Sequence, residues 1–103
     1  MRRRIVITEA AAADILEQAD WYQAQSDQKL AQRWQTAVTT TVLQIVEAPL
    51  TGASCKFNSK ELAGIRRKSI DGFRKHLIFY RVQDRTLLVL WVIHGARDLE
   101  SLF

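Results

Sequence analysis

Ile65-Arg66-Arg67-Lys68-Ser69-Ile70, Asp71-Gly72, Lys75-His76-Leu77-Ile78-Phe79-Tyr80-Arg81-Val82, Gln83-Asp84-Arg85 and Leu87-Leu88-Val89-Leu90-Trp91-Val92-Ile93 form the stretch that decides the fold. The first segment has period two and a strongly basic exposed side, as a half-buried strand does. Asp71-Gly72 is a favoured two-residue hairpin turn, because the turn needs positive φ. Residues 75–82 return as a second strand, and Gln83-Asp84-Arg85 makes the next turn. Leu87 to Ile93 is nearly continuous apolar sequence, the pattern of a central strand covered on both faces. His94-Gly95-Ala96 ends it, and Arg97 to Phe103 predicts a last helical turn or two.

Working back towards the N-terminus, the periodicity changes. Arg3 to Thr8 carries Ile5-Val6-Ile7 and reads as a short strand. Thr8 is a helix N-cap candidate, with Glu9 and Asp14 near the positive end of the helix dipole. A helix from Glu9 to about Gln25 is expected, with Ala12, Ile15, Leu16, Ala19 and Tyr22 on its apolar face. Ser26-Asp27 interrupts the pattern and caps a second helix whose buried side is Leu30, Ala31, Trp34, Ala37, Val38, Thr41, Val42 and Ile45. Thr39-Thr40-Thr41 has poor helix propensity, so tertiary packing must hold it. Pro49 stops this helix. Leu50 to Gly64 reads mainly as loop, with a short helical turn near Ser59 to Leu62.

The expected fold is therefore α+β, in one domain over residues 1–103. It has an N-terminal strand, an antiparallel helical hairpin, a three-stranded antiparallel sheet and a short C-terminal helical turn. The N-terminal strand is expected at an edge beside the last strand.

Composition agrees. The 103 residues are 48% hydrophobic and 25% charged, which suits one folded domain and excludes a disordered chain. Leu87 to Ile93 is the longest apolar run, far below the ~18 residues of a membrane span. Met1-Arg2-Arg3-Arg4 resembles the start of a secretory signal, but only Ile5-Val6-Ile7 follows where ~7–15 apolar residues are needed, so a cytoplasmic location is expected. The single cysteine, Cys55, has no disulfide partner in the chain. Residues 1–50 hold five basic against six acidic side chains, a net of −1, whereas residues 51–103 hold ten against five, a net of +5. That half suits a polyanionic surface or an acidic partner segment.

Several chemistries are missing their motifs. Gly52, Gly64, Gly72 and Gly95 are isolated, so there is no phosphate loop. Two histidines and one cysteine give no metal-site spacing, and no Gly-x-Ser-x-Gly segment occurs. Neither metal nor cofactor is expected. Asp14, Glu17 and Asp20 read as a solvated helix face. What remains is a basic group on the sheet: Arg66, Arg67, Lys68, Arg74, Lys75, Arg81 and Arg97, with His76 and His94. Its arginines can hold phosphates with forked donors. Beside a histidine they could also stabilise a phosphorane and relay a proton in RNA cleavage. The plainer alternative is surface charge, with Arg81 paired to a carboxylate.

Residues 70–81, Ile70-Asp71-Gly72-Phe73-Arg74-Lys75-His76-Leu77-Ile78-Phe79-Tyr80-Arg81, and residues 92–102, Val92-Ile93-His94-Gly95-Ala96-Arg97-Asp98-Leu99-Glu100-Ser101-Leu102, resemble the ParE branch of the RelE/ParE toxin superfamily. The first half agrees, with Thr8 before Ala12-x-Asp14-Ile15 and Tyr22, and Gly52 behind Pro49. The resemblance implies the toxin of a type II toxin–antitoxin pair, associated with growth arrest and plasmid stabilisation. It implies neutralisation by a ParD-like antitoxin, whose C-terminal segment wraps the toxin and whose ribbon–helix–helix part binds operator DNA. The implied activity is inhibition of DNA gyrase by binding, with Arg67, Arg74, Arg81, His94, Arg97 and Asp98 as the target-binding set. Asp98 is alternatively a partner of Arg97 or Arg81. The RelE branch instead cuts ribosome-bound mRNA, and a ribonuclease here would rest on Arg81 and His94. The loop residues Lys56 and Lys60 add little to it, Gly95 follows His94 directly, and no tyrosine comes after Tyr80. A third possibility is an antitoxin-binding module without toxicity. The antitoxin is expected in apolar grooves between helices and sheet, with Trp21, Trp34 and Trp91 as candidate anchors and Trp34 and Trp91 more suited to the core.

Overall fold

The computed structural model describes residues 3–58 and 60–94. Strand β1 (Arg4–Ile7) leads into helices α1 (Glu9–Gln25) and α2 (Gln28–Glu47), followed by a 3₁₀ turn over Pro49–Thr51. Then come β2 (Ala53–Ser54), a second 3₁₀ turn over Lys60–Leu62, β3 (Arg66–Ile70), β4 (Phe73–Gln83) and β5 (Thr86–His94). The strands form one mixed five-stranded sheet in the order β1-β5-β4-β3-β2, with β1 parallel to β5 and the other neighbours antiparallel.

The expected three antiparallel strands are thus the middle of a larger sheet. The N-terminal strand does join beside the last strand. Ala53-Ser54, read as loop, closes the other edge against Arg66 and Arg67. The expected C-terminal helical turn falls on residues 95–103, outside the described residues.

Local chemistry explains the helix ends. The Thr8 hydroxyl accepts from Ala11 N–H at 3.1 Å and donates to the Leu90 carbonyl at 2.8 Å, so the N-cap of α1 also ties it to β5. Asp27 caps α2 by accepting from Leu30 N–H at 2.9 Å. Ala11 and Ala19 are the buried residues of α1, with Ile15 and Tyr22 packed at the core's margin. Leu16, expected on that face, is 58% exposed, because the alanine stripe brings α1 in along a narrow line and leaves its flank in water. In α2 the buried stripe is Ala31, Trp34, Val38, Thr41, Val42 and Ile45. Thr41 is fixed by tertiary contacts, as its propensity demands. Its hydroxyl donates to Ala37 O at 2.8 Å and accepts from Asp71 N–H at 3.4 Å, joining α2 to the β3–β4 turn.

The sheet is covered on both faces. On the helix side, Ile70, Ile78, Tyr80, Leu87, Val89 and Val92 meet the helices around Trp34. On the far side, Leu62, Ile65, Phe79 and Ile93 form a second, smaller core, with Cys55, Phe57, Leu77, Leu90 and Trp91 packed against it. The segment between β2 and β3 is therefore a cover for the sheet, which explains the continuous apolar character of β5. Gly72 turns the β3–β4 hairpin at φ +84°.

Candidate functional site

Strand parity divides the basic residues between the two faces. Arg67 lies opposite Phe79, and Arg81 is two residues further along β4, so both are on the far face. The Arg81 guanidinium donates from Nη2 to the Glu61 carbonyl at 2.8 Å, and its Nε is buried with no hydrogen-bond partner. Arg67 is exposed beside Cys55, whose thiol pKa is raised by burial and partly lowered again by the Arg67 charge. Arg66 points the other way, donating from Nη1 to Gly52 O at 2.8 Å. Gly52 N–H donates to the Tyr80 hydroxyl at 3.0 Å, and that hydroxyl donates to Pro49 O at 2.7 Å. Tyr80 is completely buried, and with Arg66 it pins the loop behind α2 to the sheet.

Arg74 and His94 belong to a different place. With Lys75 they line an open cleft of about 660 Å³ between α1 and the ends of β4 and β5. Asp14, Glu17, Gln18, Trp21 and Tyr22 form its helical wall, and Phe73 and His76 its strand wall. His76 and His94 are register partners across β4 and β5, with ring centroids 5.4 Å apart. The His76 ring also meets Trp34 at 4.7 Å and Tyr22 at 6.4 Å, in an aromatic cluster completed by Phe73. Burial pushes the His76 pKa below its usual value, and the charge of His94 pushes in the same direction. Tyr22 is shifted upwards by burial, against a weaker opposing hydrogen bond from Gln18.

Acids and bases thus face each other across an aromatic floor. Asp14 is more than part of a solvated face: its Oδ2 accepts from Val92 N–H at 3.0 Å and satisfies the β5 edge where β1 has ended. Sequence reasoning overlooked this contact, and it named His76 within the basic group but not among the target contacts. Trp34 is fully buried, its indole N–H donating to Ile15 O at 3.0 Å, and Trp91 packs on the far-side core. Trp21 remains 56% exposed, as an anchor would be.

The six predicted residues therefore do not form one patch. Arg67 and Arg81 share the far face, Arg74 and His94 share the cleft, and Arg97 and Asp98 lie outside the described residues. Arg81 opposes Leu88 whereas His94 opposes His76, five residues along β4, or about 17 Å at the usual strand rise. The two are also on opposite faces of the sheet. Among the described residues no group of three or more histidine, cysteine or acidic side chains could hold a metal ion. No helix among them is long and apolar enough to cross a membrane.

Two helices packed on one face of a five-stranded mixed sheet, with cationic residues on both faces, define a small α+β scaffold. A solved structure described as the chromosomal ParDE TA system from P. aeruginosa shares this fold, with a TM-score of 0.74 at 17% identity over 90% of this chain and 96% of that chain. The model of the ParE toxin of the type II toxin-antitoxin system, parDE, matches residues 5–99, and the chain belongs to that family. No curated protein matches it.

Proposed function

We propose that this ParE-family toxin arrests growth in the cytoplasm by binding DNA gyrase, and that a ParD-like antitoxin neutralises it. Operator DNA is contacted only through that antitoxin. The observation that carries binding over catalysis is the separation of Arg81 from His94. A ribonuclease site needs its cation and its acid–base group around one scissile phosphate, within hydrogen-bond reach. Here a sheet and about 17 Å of strand stand between them. A binding surface has no such requirement, because separate patches can each grip a large partner.

Arg67, Arg74, Arg81, His94, Arg97 and Asp98 remain the proposed target contacts. The antitoxin is read as an amphipathic segment rich in acidic residues, matched to the net +5 of residues 51–103. The test is supercoiling by purified gyrase with the toxin separated from its antitoxin. Loss of supercoiling is expected, and undiminished supercoiling at large toxin excess overturns the proposal. Cleavage of mRNA on translating ribosomes, abolished by Arg81→Ala and by His94→Ala, would instead establish the RelE-type reaction.

A further inference from the structure

Among the described residues no strand lies beside the outer edge of β1, and that edge is self-complementary. Arg4 N–H donates to Arg85 O at 2.7 Å and Thr8 N–H to Val89 O at 3.1 Å. In a parallel ladder these bonds recur at alternate residues, so Arg4, Val6 and Thr8 turn their backbone groups towards β5. Ile5 and Ile7 must then direct both N–H and C=O away from the sheet. Their side chains share the face of Leu87 and Val89, yet they remain 38% and 45% exposed. Two apolar side chains and four backbone polar groups thus sit together on an open edge, the kind of edge that natural sheets usually cover or charge.

We propose that this edge pairs with the same edge of a second copy of the chain, antiparallel and centred on Val6. In that register Ile5 of each copy faces Ile7 of the other. Each such pair exchanges two N–H···O=C bonds, giving four across the seam. The four isoleucines meet on the helix side, and Val6 meets its symmetry mate on the other. A shift of one residue sets outward groups against inward ones and loses the bonds. A shift of two residues towards the N-terminus puts Arg4 of both copies on diagonal positions of one face, where like charges repel. The Val6-centred register places Arg4 opposite Thr8 instead, next to Glu9, so its two ends are complementary in charge. Four residues per copy bury less than the roughly 1,000 Å² of a stable interface. The dimer is accordingly weak and concentration-dependent, and it is independent of the toxin's target.

The test is sedimentation equilibrium of the isolated full chain over about 10–500 µM, the range in which a dimer with a dissociation constant between micromolar and millimolar becomes visible. Amide exchange is read in parallel. A monomer–dimer equilibrium is expected. Exchange at Ile5 and Ile7 should slow at least tenfold with concentration, while the Val6 amide stays protected throughout. Ile7→Pro removes an outward donor without touching the β1–β5 ladder, and Ile5→Lys places a charge in the seam. Both should leave a folded monomer, with circular dichroism as the control. A chain that is monomeric at every concentration overturns the proposal, as does a dimer that both folded variants retain. Protection of Ile5 and Ile7 only when a partner antitoxin is added, with the isolated toxin monomeric, overturns it in favour of a heterologous strand.

Discussion

Tyr80→Phe isolates the contact that fixes the loop behind α2 to the sheet. The hydroxyl donates to Pro49 O at 2.7 Å and accepts from Gly52 N–H at 3.0 Å, and Phe removes both bonds while keeping the ring. Gly52 is buried, so its N–H loses its partner without gaining water, at a cost of about 1–3 kcal/mol. The Pro49 carbonyl is half-buried and can partly recover through solvent. A loss of about 2–3 kcal/mol is expected. With an m value of about 1–1.5 kcal/mol/M for a domain this size, the urea midpoint should fall by about 2 M at unchanged m.

Gly52→Ala attacks the same contact from the other side. A Cβ there would collide with the Tyr80 hydroxyl and come within 2.8 Å of both the Arg67 carbonyl and Tyr80 Cε1. The Arg67 carbonyl is backbone and cannot swing aside, so a penalty of about 3 kcal/mol or more is expected. In the Tyr80→Phe background the collision with the hydroxyl is gone and only the two longer contacts remain. Gly52→Ala should then cost at least about 1 kcal/mol less, a coupling read from the four urea curves by tryptophan fluorescence. Additive costs, or a Tyr80→Phe change within about 0.5 kcal/mol, would refute the assignment of this hydroxyl as the clamp.

Trp34→Ala should cost about 3–5 kcal/mol in thermal or urea unfolding, because it empties the centre of the helix-side core and removes the indole bond to the Ile15 carbonyl. Asp14→Ala should cost about 1–3 kcal/mol by leaving Val92 N–H without its carboxylate, with faster amide exchange at Val92 as the local readout. His76 has a folded pKa below the unfolded value of about 6.5, so the unfolded chain binds the proton first and stability rises with pH through that window. Its contribution is fully present above about pH 6.5 and is lost as pH falls towards the lowered folded pKa. His76→Phe should flatten the dependence of the urea midpoint between pH 5 and 7. Arg67→Glu, on an exposed side chain, should leave stability within about 0.5 kcal/mol and, under the proposed function, weaken inhibition of gyrase supercoiling at least tenfold.

The parts of this fold that the sequence displays are those encoded by neighbours in the chain. Thr8 and Asp27 announce their helices because a cap bonds three residues ahead. Asp71-Gly72 announces its hairpin because Gly72 supplies the positive φ that the turn needs. What escapes is set by distant partners. Ala53 and Ser54 have no strand preference of their own, and β2 exists because Tyr80 and Arg66 hold Gly52 against the sheet. Phe57, Leu62 and Ile65 have no period, so their role as cover for the far face is invisible until the sheet is assembled. Asp14 shares helical spacing with Glu17 and Asp20 and looks equally solvated, yet its partner Val92 is 78 residues away. The candidate site shows the same division. His94 stands out in the sequence, but its pairing with His76 depends on the β4–β5 register and its irregularity between Phe79 and Tyr80.

That register also decides what the basic residues can do together. Read along the chain, Arg81 and His94 are close enough to suggest one reaction centre. The hairpin sends them to opposite faces, where each acquires a different core behind it. Arg81 is braced by the Glu61 carbonyl over the far-side cluster, whereas His94 leans on His76, whose ring in turn meets Tyr22 and Trp34 on the helix side. Bringing them to one phosphate would require breaking the sheet between them, and no local side-chain motion achieves that. Two separate surfaces, one basic on the far face and one of mixed charge in the cleft, suit simultaneous contacts with a macromolecule much larger than the chain. The charge of the second half therefore favours recognition over catalysis because of where β4 and β5 place it, more than because of its amount.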